Sequence, residues 1–234
     1  MPRTEPPAST GAAITVSVVI PALNEEEEIE QTLASVGEEV EVIVVDGGSI
    51  DRTVDRSHRS GAVVLSSAAG RARQMNVGAA SAHGEVLLFL HADTRLPTGW
   101  LGAVQKAIGD GALSGRFDVT LRGGSAWLPV VAAGMNLRSR LTGIATGDQA
   151  VFVRRDVFQK LGGFEPIALM EDIDLTRRLR RQGRRASLRL RVDTSGRRWE
   201  AHGVLRTIAL MHFLRLAYFL GASPDWIAAR YAAR

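Results

Sequence analysis

Four short runs dominate the first half of the chain: Val16-Ser17-Val18-Val19-Ile20, Val42-Ile43-Val44-Val45, Ala62-Val63-Val64-Leu65 and Val86-Leu87-Leu88-Phe89-Leu90. They are almost wholly apolar and do not alternate, as befits strands buried on both faces. Helical patterns separate them. Ile29, Leu33 and Val36 form one apolar stripe, and 70–82 reads as a further helix. Strands of this kind with helices between them require a parallel sheet covered on both sides, an α/β architecture. At 234 residues there is room for one such domain and not for two.

Pro21 ends the first run because it has no amide donor. Asn24 is expected to cap the following helix, with Glu25 to Glu28 at its positive end. Beyond Pro97 the pattern changes. A helix over 100–108 and an exposed or antiparallel strand over 113–121 precede an apolar helical stretch over 125–141. Thr146-Gly147-Asp148-Gln149 then opens a strand over 150–153, and 170–182 reads as a helix with acids first and arginines last. The stretch 205–220 is apolar but too short to span a bilayer comfortably. It reads as a helix docked on the core or on a second copy, or as one resting on a membrane.

Some classes are excluded by composition. There is no cysteine, so disulfides and thiolate metal sites are ruled out. Residues 1–12 carry Pro, Ser, Thr and Gly without an apolar core, which suits a floppy tail better than a signal peptide. A cytoplasmic chain is expected. Ten arginines fall between Arg177 and Arg198 against one acid, Asp193. They read first as a solvated face and second as a surface for anionic lipid or phosphate, which would place the chain at a membrane. Nucleic acid is not expected, since no aromatic residues interleave with them until Trp199.

Ligands of open α/β sheets bind beyond the carboxyl ends of the strands. The polar clusters there are therefore the ones to read. Asp93, after His91-Ala92, is placed to ligate a divalent cation bridging nucleotide phosphates, or simply to form a turn. A phosphatase of the Asp-x-Asp-x-Thr type is excluded because position 91 is His. A dinucleotide fold is excluded because the turn Pro21-Ala22-Leu23-Asn24-Glu25 lacks glycine. Asp46 with Gly47-Gly48-Ser49 can accept hydrogen bonds from a base or ribose, or form a turn. Glu171-Asp172 at a helix start is either a dipole complement or a general base.

Taken in order, these segments resemble the family 2 glycosyltransferases of the GT-A fold, from Val16 to about His202. Val18-Val19-Ile20-Pro21-Ala22-Leu23-Asn24-Glu25 is similar to their V-I-P-x-x-N-E start. Val44 to Thr53 is similar to V-V-D-D-x-S-x-D-x-T, and Arg73-Gln74-Met75-Asn76-Val77-Gly78 to the R-x-x-N-x-G helix. Leu88 to Asp93 resembles the strand leading to D-x-D. Gly147-Asp148-Gln149 and Gly162-Gly163-Phe164 resemble acceptor-side loops, and Glu171-Asp172 the E-D motif.

The resemblance implies a Rossmann-like, mixed but mostly parallel sheet flanked by helices. A tail (1–13), a GT-A domain (14–203) and a C-terminal helical extension (204–234) would follow one another. It implies inverting, single transfer of a sugar from a nucleoside-diphosphate sugar to an acceptor hydroxyl. Asp172 would be the base and Glu171 would touch the acceptor. Pro21, Ala22, Asn24, Glu25, Asp46 and Gly48 would line the nucleotide pocket. Arg73, Asn76, His91, Ala92, Gly147, Asp148, Gln149, Arg198 and Trp199 would contribute to substrate binding. Asp93, with His202, would ligate Mg²⁺ or Mn²⁺. The D-x-D has lost its first acid to His91, and Gly47 replaces the usual second Asp. Of the processive Q-x-x-R-W only Arg198-Trp199 remains, which favours a single transfer. The His91-Ala92-Asp93-Thr94 and Arg197-Arg198-Trp199-Glu200 segments also resemble a small bacterial subfamily associated with arsenosugar biosynthesis. A nucleotide-sugar-binding protein without turnover and a membrane- or phosphate-binding module are the alternatives.

Overall fold

Eight strands build one sheet: β1 (Val16–Ala22), β2 (Glu41–Asp46), β3 (Val63–Ser66), β4 (Val86–Phe89), β5 (Thr94–Arg95), β6 (Ser114–Arg122), β7 (Val151–Arg154) and β8 (Arg185–Ser195). Their order across the sheet is β3-β2-β1-β4-β7-β6-β8-β5. The computed structural model describes residues 13–232. The expected tail therefore lies outside the described residues except for Ala13. β1 is parallel to β2 and β4, and β2 to β3. Beyond β4 the sheet becomes mixed, with β7 antiparallel to β4 and to β6, and β8 parallel to β6.

The helices are α1 (Ile29–Val36), α2 (Thr53–Arg59), α3 (Arg71–Ser81), α4 (Trp100–Gly109), α5 (Leu128–Thr142), α6 (Arg155–Lys160), α7 (Glu171–Leu179), α8 (Arg197–His202), α9 (Val204–Phe219) and α10 (Pro224–Ala232). Alternation along β1 sends Val18 and Ile20 into one core layer with Ile29, Leu33 and Trp100. Val19 enters the other, with Val45, Met75, Phe89 and Phe164. A third cluster packs Leu214 of α9 and Ile227 of α10 on Met170 and Ile173. Residues 204–232 thus rest on the start of α7. Among the described residues no helix is long and apolar enough to cross a membrane.

Two local expectations are corrected. Asn24 does not cap α1: a turn over Glu25–Glu28 intervenes, and Asn24 takes a left-handed φ of 53°. For β6 only the exposed alternative is corrected, since the strand is antiparallel to β7 and largely buried. Its charged residues Arg116 and Asp118 are buried, where they pair with each other and Asp118 also pairs with Arg140. Paired in this way, they satisfy charges that burial would otherwise penalise. The arginines of β8 behave as the solvated face expected of them, since Arg185, Arg189 and Arg191 all point to solvent.

α3 lies so close to the sheet that a Cβ on Gly78 would meet Val19 Cγ1 at 2.4 Å and Val45 Cγ2 at 3.0 Å. Gly78→Ala should therefore overpack the layer and cost about 1–3 kcal/mol. Thermal unfolding should show a midpoint lowered by roughly 3–10 °C for a chain of this size. An unchanged midpoint would mean that α3 can move away freely.

Candidate active site

The loops after β1 and β2 are stitched together by the residues that stand out in the sequence. Asn24 N donates to Ser49 Oγ at 2.9 Å, and Ile50 N donates to Asn24 Oδ1 at 2.9 Å. Glu25 N donates to Thr53 Oγ1 at 2.8 Å and Glu26 N to Asp51 Oδ2 at 3.1 Å. Asp46 is buried and accepts from Gly48 N at 2.9 Å and Ser49 N at 3.1 Å. Beneath them the buried Gln74 donates to Ala22 O at 2.9 Å and Val45 O at 2.8 Å. A Cβ on Gly47 would lie 3.1 Å from Gln74 Nε2, so the clamp occupies space that a side chain at 47 would need.

The segment after β4 is held as firmly. Leu90 N donates to Val19 O at 3.0 Å and Thr94 N to His91 O at 3.1 Å. Thr32 Oγ1 donates to Ala92 O at 2.7 Å. The carbonyl of Asp93 accepts from Arg122 Nη2 at 3.1 Å and Ser195 N at 3.2 Å. With its backbone fixed, Asp93 joins the lining of a cleft of about 660 Å³. Pro21, Ala22, Glu25, His91, Ala92, Asp148, Glu171, Asp172, Arg198 and Trp199 line the same cleft. Chain segments far apart in sequence therefore meet in one cavity, at the carboxyl edge of the parallel strands.

Other expected residues lie elsewhere. Asn24, Asp46 and Gly48 are not part of the lining and shape the loops beside it. Arg73 is exposed. Asn76 clamps the Gly162-Gly163-Phe164 loop, donating to Phe164 O at 2.8 Å and accepting from Phe164 N at 2.9 Å. Gln149 is fully buried and donates to Ser139 Oγ at 2.9 Å. His202, at the end of α8, is exposed and outside the lining.

Electrostatics divide the cleft. Arg197 Nη2 lies 2.6 Å from both carboxylate oxygens of Glu25 and 3.5 Å from Asp93 Oδ2. Burial nevertheless holds the Glu25 pKa above its ordinary value against this arginine. His91 Nδ1 is 3.3 Å from Asp148 Oδ1. Burial works to neutralise the imidazole, but the Asp148 bond and the charges of Asp148 and Asp93 outweigh it, so its pKa is raised. Asp148 is correspondingly lowered: burial opposes ionisation and His91 overcomes it. Thus the position expected to carry an acid holds a cation-prone ring. A Cβ on Gly147 would meet that ring at 2.2 Å, which is why glycine stands there.

Glu171 and Asp172 open α7 behind Met170, whose φ of 74° is left-handed and costly for a residue with a side chain. Asp172 is oriented by Gly147 N at 2.7 Å and Ile173 N at 2.6 Å, one on each oxygen. Glu171 is buried, and among the described residues no side chain donates to it. Burial, then the charge of Asp172, pushes its pKa up to about 7.

Among the described residues no three acids or histidines cluster closely enough to form a complete metal cage. Asp93 fits a divalent ion only in the shared manner, one carboxylate with the remaining ligands from a diphosphate and water.

Residues 17–162 match the family model described as Glycosyl transferase family 2. The chain belongs to that family. It is a glycosyltransferase by family and by fold. No curated protein matches it in sequence. Glucosyl-3-phosphoglycerate synthase from Mycobacterium tuberculosis, solved with Mn²⁺, UDP and glucosyl-3-phosphoglycerate, is 26% identical with a TM-score of 0.59. That match covers 91% of this chain and 81% of the synthase. Another solved form of that synthase, with Mg²⁺ and UDP, is 26% identical with a TM-score of 0.56, over 78% of this chain and 71% of that one. TarS from S. aureus (1–349) is 19% identical with a TM-score of 0.62, over 93% of this chain and 70% of that one. It shares the fold.

Arg71, Arg197, Arg138 and Arg215 also line the cleft and were not among the residues expected to bind substrate. Arg197 was visible in the arginine cluster and in the Arg197-Arg198-Trp199-Glu200 segment, and the others belong to no motif.

Because the folded state holds a proton on Glu171, its stabilisation is full below the ordinary value of 4.5 and is lost as pH rises through about 7. Glu171→Gln should therefore unfold roughly 3 °C or more above the parent at pH 8, and no higher at pH 4. Equal melting points at pH 8 would show that Glu171 ionises freely.

Proposed function

We propose that this cleft moves one sugar, with inversion, from a nucleoside-diphosphate sugar to an acceptor hydroxyl. The observation that carries the reading is that Asp93, held at the end of the parallel sheet, and Asp172, held at the start of α7, line one cavity. Glu25, His91, Arg71 and Arg197 lie at the Asp93 end and are suited to ribose and diphosphate. UDP in the Mycobacterium synthase structures makes uridine diphosphate the first nucleotide to test.

Asp172 takes the proton from the acceptor hydroxyl as its oxygen bonds to the anomeric carbon. The bond from that carbon to the diphosphate breaks, and its electron pair leaves with the phosphate oxygen. Arg71, Arg197 and His91 face the charge that develops there. Asp93 is the residue that would hold Mg²⁺ or Mn²⁺ against the diphosphate, where the ion supplies further neutralisation of the leaving group. Mn²⁺ and Mg²⁺ in the synthase structures support that choice of metals. A protonated Glu171 can donate a hydrogen bond to the acceptor.

The arsenosugar-associated subfamily is supported only by the short segments that resemble it. A nucleotide-sugar-binding protein without turnover is the second reading, favoured by His91 in place of an acid and by Arg197 set against Asp93.

Asp172→Asn should lower UDP release from UDP-sugars about 100-fold or more while UDP binding stays within about twofold. Asp93→Ala should abolish the part of UDP binding that depends on Mn²⁺. Transfer by Asp172→Asn at the parent rate would remove Asp172 as the base. UDP binding by the parent without release, across a broad acceptor panel, would favour the second reading.

A further inference from the structure

The far end of the cleft has a different chemistry from the Asp93 end. Val130, Val131 and Met135 of α5, with Ile208 and Met211 of α9, form an apolar wall. Val130 belongs to this wall and is also 59% exposed, so the apolar surface runs out of the cleft mouth. Leu137 and Leu141 on α5, and Phe213 and Leu216 on α9, add further exposed apolar side chains to the two helices.

Set into that wall are two guanidinium groups, Arg138 from α5 and Arg215 from α9. Neither forms an ion pair with a described residue. Arg138 Nη1 donates to Ile144 O at 3.3 Å, but its Nε and Nη2 are buried without any partner. Burial, and next the charge of Arg215, brings the Arg138 pKa down to about 10, and burial lowers Arg215 as well. Two like charges in an apolar pocket, those of Arg138 with orphaned donors as well, are a costly arrangement. An oxyanion between them would accept those donors and cancel the repulsion. Each arginine also senses the charge of Asp172, and next that of Asp148, which places the pair beside the reacting centre.

Building on the glycosyltransferase reading of the cleft, we infer that the acceptor is an anionic amphiphile. Its phosphate- or carboxylate-type group sits on Arg138 and Arg215, and its hydrocarbon part lies along the wall of α5 and α9. A sugar hydroxyl or a water-soluble neutral acceptor would leave both arginines uncompensated. The same anion could come from a small free phosphate or from a lipid-like molecule, and the apolar wall is what selects the second.

Calorimetric titration of the full chain with octyl phosphate, inorganic phosphate and octyl glucoside, all below micelle formation, tests the inference. Octyl phosphate should bind at least tenfold more tightly than either of the others, and less tightly as salt is raised. Arg138→Gln and Arg215→Gln should each weaken it about tenfold or more, with UDP binding within about twofold as a check on folding. Equal affinity for inorganic phosphate would overturn the amphiphile, and equal affinity for octyl glucoside would overturn the anion site. Undiminished binding by both variants would overturn the assignment to these arginines. Failure to bind UDP would count against the glycosyltransferase reading alone, since octyl phosphate binding is read without donor.

Discussion

β1 and β4 are sealed on both faces, and this constraint orders everything else in the molecule. Val18, Val19, Ile20, Leu87 and Leu88 are wholly excluded from solvent, in two separate core layers. A strand buried in this way offers no side-chain position for polar chemistry. The first places where a carboxylate or amide can meet a ligand are the residues just past its end. Pro21-Ala22 and His91-Ala92-Asp93 are those places, and the cleft is where they converge.

Converging loops must also be kept from collapsing onto each other. Many of their backbone groups are satisfied by conspicuous polar side chains. Asn24, Ser49, Asp51 and Thr53 hold the first two loops together. Gln74 closes the gap beneath them. This explains why a sequence reading finds these residues although some of them lie outside the cleft lining. Asn24, Asp46, Asn76 and Gln149 have the polarity and spacing of ligand-binding residues. In the fold they bond to neighbouring parts of the protein. The helix-capping role expected of Asn24 failed because asparagine tolerates a left-handed backbone, and the loop uses that tolerance to turn towards β2.

The parallel half of the sheet, the loops after its strands and the Glu171-Asp172 pair were legible because each depends on a local run of residues. The far wall of the cleft was not. α5 and α9 meet across it through contacts between residues distant in sequence, and their apolar stretches look the same whether they line a cavity, a dimer or a membrane. Arg138 was equally silent, and Arg215, within the apolar stretch 205–220, suggested contact with a membrane and not a place in the cleft. The dense arginine run drew attention instead, although most of β8's arginines face solvent and only Arg197 and Arg198 reach the cleft.

The two ends of the cleft therefore handle charge in opposite ways. At the Asp93 end two of the cations have an acid close by: Arg197 has Glu25 and Asp93, and His91 has Asp148. A ligand there exchanges one set of ionic contacts for another, which favours reversible loading and release of a highly charged nucleotide. At the α5–α9 end the arginines have no such partner, so a bound anion gains contacts without giving up others. Between the two ends, a proton on Glu171 removes the like-charge conflict with Asp172 that burial would otherwise magnify. Paired cations, a buried acid beside a carboxylate and unpaired cations thus meet in a single cavity. That set of charges suits the parts of a transfer: leaving group, reacting hydroxyl, and the anchor of the acceptor.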